Sequence, residues 1–85
     1  MKKFILAYPL LQRGGRYTFR AEIVVIAENT KSARSKVEEY SNHTDGLEEV
    51  PTGAWNNPKL SSCRQMHIAL KDTGAVVSTK IERLY

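Results

Sequence analysis

Eighty-five residues allow one small domain and one thin core, because a chain this size buries only about 60–65% of its unfolded surface. With 41% hydrophobic and 26% charged residues, the composition is ordinary for a globular protein and excludes a disordered tail, a coiled coil and a collagenous repeat. Thirteen Lys and Arg against nine Asp and Glu leave +4 and a pI near 9.4, the one compositional feature that hints at a partner.

The N-terminus imitates a signal peptide, with Lys2 and Lys3 before an apolar run. That run is short, Tyr8 and Pro9 interrupt it, and Gln12 to Arg16 offer no small-residue cleavage site. Phe4 to Leu11 therefore reads as a strand, with Pro9 at an edge position or a bulge. Arg13-Gly14-Gly15-Arg16 supplies a tight hairpin turn, and Tyr17 to Ala27 is the return strand. Tyr17, Phe19, Ala21, Ile23 and Val25 share one face, opposite Thr18, Arg20 and Glu22. Ile23 to Ile26 is apolar on both faces, so this end belongs in the centre of a sheet or under cover on both sides.

Asn29 or Thr30 caps a helix over 30–41, with Ala33, Val37 and Tyr40 as its apolar stripe. Arg34 and Glu38 read as an exposed i,i+4 pair. Residues 42–61 form a long polar loop with turn signals at Asp45-Gly46, Pro51, Gly53, Asn56-Asn57 and Pro58. A loop of this length usually means function or a missed element, and Leu47 to Val50 would make a short fifth strand. A second hairpin is expected over 62–84, from Cys63 to Lys71 and from Ala75 to Leu84 around Asp72-Thr73-Gly74. The expected fold is α+β: a four-stranded, or five-stranded, antiparallel sheet with one helix packed on it, in the order ββαββ.

The charge is divided. Residues 1–36 carry eight bases against two acids, +6, whereas 37–85 carry five bases against seven acids, −2. Arg13, Arg16 and Arg20 cluster at the first hairpin, where they read either as a basic finger for phosphate or an acidic protein surface, or as a solvated, aggregation-proof tip. Lys31, Arg34 and Lys36 oppose the helix dipole and suit a partner-facing role. Glu38, Glu39, Asp45, Glu48 and Glu49 form an acidic counterpart without calcium-loop spacing. Such a bipolar surface suits a protein of mixed charge at least as well as a phosphate backbone.

Candidate chemistry is thin. Cys63 and His67, four apart on a strand, lie about 13 Å from one another, too far for a nucleophile and its base. With His43 and one acid they match no zinc spacing, so neither cofactor nor metal is expected. The lone cysteine also excludes an internal disulfide and favours the cytoplasm, and Asn42-His43-Thr44 then reads as a plain polar loop rather than a glycosylation site. No apolar stretch approaches the ~20 residues of a membrane span. Trp55 is either the plug of the thin core or an exposed anchor for a partner.

The N-terminal hairpin running into Glu22-Ile23-Val24-Val25-Ile26-Ala27-Glu28-Asn29-Thr30, followed by the helix start Lys31-Ser32-Ala33-Arg34-Ser35-Lys36-Val37, resembles small phage and mobile-element proteins, including anti-CRISPR inhibitors. The resemblance covers residues 1–41 as a pattern without a C-terminal motif. It implies a non-enzymatic protein that binds a larger host or defence complex, in the host cytoplasm where phage-encoded, with Arg13, Arg16, Arg20, Lys31 and Arg34 as candidate contacts; Trp55, in its reading as an exposed anchor, is a further candidate contact outside the resemblance. A small basic nucleic-acid-binding domain is the alternative, and a toxin-type nuclease a third. The chain is expected as a monomer or a homodimer.

Overall fold

In a computed structural model, residues 2–11, 17–48, 50–67 and 76–83 are described. They form β1 (Lys2–Leu11), β2 (Tyr17–Ala27), α1 (Thr30–Asn42), β3 (Ser62–Met66) and β4 (Val76–Arg83). The four strands make one antiparallel sheet in the order β3-β1-β2-β4, with a single helix, so the α+β class and the ββαββ sequence of elements stand. No helix among the described residues is long and apolar enough to cross a membrane.

Alternation decides which side of the sheet is buried. Phe4, Leu6 and Tyr8 of β1 lie across from Val25, Ile23 and Ala21 of β2, and all six are buried. Ala33 and Val37 of α1 pack onto them, joined by half-buried Tyr40, whose hydroxyl shares a 2.7 Å hydrogen bond with Thr79 Oγ1 of β4. The helix begins where Asn29 accepts a 2.8 Å hydrogen bond from the Ser32 N–H, satisfying one of the free donors of its first turn. β2 lies between β1 and β4, as its two-sided apolar run requires.

The expected C-terminal hairpin does not form over the described residues: β3 and β4 occupy opposite edges of the sheet. The first hairpin explains this arrangement. Two long apolar strands expose ladder groups on both outer sides, and a C-terminal hairpin would satisfy only one of them. β3 on β1 and β4 on β2 satisfy both. The path of residues 43–61 permits it, since Gly46 sits against Ile81 of β4 while Trp55 sits against Tyr8 of β1. The segment thus crosses the sheet beside α1 before entering β3.

Of two smaller expectations, one holds and one changes. Pro9 takes an edge-like position as expected: β1 is an inner strand, but the β1–β3 ladder ends at Ala7↔Ser62, so the missing N–H falls beyond the stretch flanked on both sides. Leu47 to Val50 adds no fifth strand. It closes as a turn, with Val50 N–H donating to Leu47 O at 3.1 Å, and both apolar side chains enter the core.

Candidate functional site

The long loop is a built part of the core. Successive turns, with Ala54 N–H donating to Pro51 O at 3.0 Å and Leu60 N–H to Asn57 O at 3.0 Å, fold it compactly. Gly46 and Gly53 adopt φ of 96° and 89°, a region that residues with a Cβ rarely enter. Leu47, Val50, Ala54 and Trp55 are buried from this segment.

Helix α1 grips the loop through two side chains expected to face solvent. The Arg34 guanidinium donates to Trp55 O at 2.8 Å, Ser61 Oγ at 2.9 Å and Ser61 O at 3.2 Å. One turn on, the Glu38 carboxylate accepts from Gly53 N–H at 2.9 Å and Trp55 N–H at 3.2 Å. Buried Ser61 completes the clasp by donating to Ala54 O at 2.8 Å. A turn-rich segment has no ladder to satisfy its backbone, and these ionised side chains substitute for one. Arg34 and Glu38 therefore serve the loop, and the exposed ion pair read from their spacing is corrected.

Trp55 resolves the same way. It is fully buried, with its ring 6.1 Å from that of Tyr8 at an interplanar angle of 58°, so it is the plug and presents no surface to a partner. Its Nε1–H finds no hydrogen-bond partner among the described residues. Arg13 and Arg16 lie outside the described residues. Lys31 is exposed on α1, while Arg20 is exposed on the sheet face turned away from the helix, so these two do not share a surface. Arg20 Nη2 is 3.7 Å from Glu22 Oε2, an exposed pair of the kind worth about 0–1 kcal/mol. The acidic patch is partly consumed: Glu38 holds the loop, and Glu48 accepts from Gly46 N–H at 3.0 Å.

Cys63 pairs across the ladder with Leu6 and is half-buried on the helix side. Burial pushes its thiol above the ordinary value, against a smaller opposing pull from the Arg34 charge, so it is a poor nucleophile at neutral pH. His43 and His67 are exposed, and no group of three metal-ligating side chains comes together among the described residues.

What sequence reasoning missed is the helix-free face of the sheet. Register lines its residues into rows: Met66–Lys3–Ile26, then Arg64–Ile5–Val24–Ser78, then Ser62–Ala7–Glu22–Lys80, then Pro9–Arg20, whose register partner in β4 is Glu82. Val24 and Ile26 are buried at the centre and Ile5 is half-buried, while Arg20, Arg64, Lys80 and Met66 are exposed around them. No described helix packs here, because α1 and the loop occupy the other side. Alternation within each strand was the available signal, but only the order of the strands brings Arg64, Arg20 and Lys80 onto one surface. No protein-family model, curated protein or solved structure matches this chain.

Proposed function

We propose that this chain is a non-enzymatic binding protein that seats on a larger protein complex through charged surfaces, in the manner of small phage-encoded inhibitors of the anti-CRISPR type. The observation that supports it best is the helix-free sheet face, where Arg20, Arg64 and Lys80 surround a small aliphatic centre. Such a surface suits an acidic patch on a protein, with the cations steering and fixing register and exposed Met66 at the margin desolvating on contact. In this reading the chain acts in the cytoplasm, the host's where phage-encoded, as a monomer or homodimer without a cofactor.

Direct nucleic-acid binding is the second reading, favoured by the +6 of residues 1–36. The sheet face argues for the protein partner, since its rows hold aliphatic side chains and Glu22 where base stacking needs aromatics. Affinity capture from lysate separates the two. The protein reading expects a defined protein partner retained by the native chain and lost by the Arg20→Glu, Arg64→Glu, Lys80→Glu variant, with Ser35→Glu on the helix as control. Capture of nucleic acid alone, with affinity falling steeply between low and physiological salt, supports the second reading instead.

A further inference from the structure

We propose that β3 is an edge at which an extended acidic peptide of the partner adds as a fifth strand. This rests on the reading of the chain as a binding protein and names how that binding is made.

β3 ends the sheet, and none of the described strands pairs with its outer side. Its ladder to β1 runs through five consecutive pairs without a shift, so the edge is regular. The opposite edge differs: the ladder between β2 and β4 shifts between Val24 and Val25, a break of the kind that blunts an edge. Ser62, Arg64, Gln65, Met66 and His67 are exposed, and none of them is a proline. The two exposed large hydrophobic residues of the described chain, Leu60 and Met66, bracket this strand. Beside Leu60 opens a cavity of about 230 Å³, lined also by Pro9, Pro58, Lys59, Ser61 and Ser62.

Charge selects the occupant. From Lys59 to His67 the segment carries Lys59 and Arg64 and no acid. A second copy of this chain, paired symmetrically about Arg64, would set the two guanidiniums opposite one another, which opposes pairing. An extended peptide with acidic side chains alternating with aliphatic ones meets Arg64 with opposite charge on the helix-free face. Its aliphatic side chains fall on the side of half-buried Cys63, and its backbone completes the ladder.

The test titrates the isotope-labelled chain with an acetylated, amidated peptide of four Glu-Val repeats, followed by NMR, with four Lys-Val repeats as control. Saturable shifts and slowed amide exchange confined to residues 60–67 below about 1 mM of the acidic peptide are expected. The Arg64→Glu variant, folded by its dispersion, weakens the acidic peptide about fivefold and strengthens the basic one. Equal binding of both peptides, no binding, or shifts on α1 overturns the proposal. So does a homodimer through β3 by sedimentation, or a decamer of uridine giving the β3 shifts that the peptide does not. If a captured partner shifts the sheet face but leaves 60–67 unprotected, the edge proposal fails and the binding reading stands. If the acidic peptide seats on β3 but no protein partner is captured, only the binding reading fails.

Discussion

Replacing Arg34 by Met keeps much of the aliphatic length and removes the fork that holds the loop. Three hydrogen bonds disappear, to Trp55 O, Ser61 Oγ and Ser61 O. Bonds to a charged donor contribute about 1.5–3 kcal/mol each, but the three share one side chain and Arg34 is only half-buried, so they do not add in full. Stranded carbonyls regain water in part, and Ser61 Oγ keeps its bond to Ala54 O. A net loss of about 2–3 kcal/mol follows, a large share of the roughly 4–13 kcal/mol available to a domain of this length. With m near 1.2 kcal/mol/M, the urea midpoint falls by about 2 M. Fluorescence of Trp55, the one tryptophan of the chain, reports the transition directly. Arg34→Lys, which keeps the charge but loses the fork, recovers at most half of the loss. A midpoint unchanged within about 0.3 M in Arg34→Met would refute the clasp and return Arg34 to the role of a solvent-facing contact.

Trp55→Ala costs about 3–5 kcal/mol, since a fully buried indole leaves a large cavity; calorimetry should show a collapsed melting temperature or no transition. Gly46→Ala costs about 1–2 kcal/mol, because a Cβ at φ 96° is strained and would lie 3.3 Å from Ile81 Cδ1, whereas Gly53→Ala meets no atom and costs less in the same melts. Asn29→Ala loses about 1 kcal/mol of helix stability by removing the cap on Ser32 N–H, measurable by urea unfolding. Burial raises the Cys63 thiol above 9.0 and the Tyr8 phenol above 10.0 in the folded chain. The unfolded chain therefore releases these protons first, and stability should fall as pH rises through about 9 and beyond. Urea unfolding at pH 7 and pH 10.5 checks this, and Cys63→Ala should reduce the difference.

How much of this was legible in the sequence depends on the range over which each signal acts. The first hairpin, the Asn29 cap and the Ala33–Val37 stripe follow from local periodicity and capping chemistry, and they appear with nearly the expected bounds. The placement of β3 and β4 at opposite edges is a non-local choice. It turns on which outer ladder groups each strand satisfies, and alternation within Cys63 to Leu84 is equally compatible with a hairpin. Arg34 and Glu38 show the same limit. Helical spacing makes them neighbours of one another, yet the unsatisfied backbone of a loop some 20 residues later competes successfully for both. Of the candidate contacts, Arg20 and Lys31 are exposed as expected, Arg34 and Trp55 are structural, and Arg13 and Arg16 lie beyond the described residues.

The central claim, that the basic helix-free face seats on a protein partner, is tested most directly by quantitative affinity capture. The native chain and the Arg20→Glu, Arg64→Glu, Lys80→Glu variant are compared from the same nuclease-treated lysate, after both are shown to melt alike. Retention of one protein complex by the native chain, reduced at least tenfold by the charge reversal and unaffected by Ser35→Glu, is the predicted result. Equal retention by both chains, or binding that vanishes when nucleic acid is digested, would contradict it.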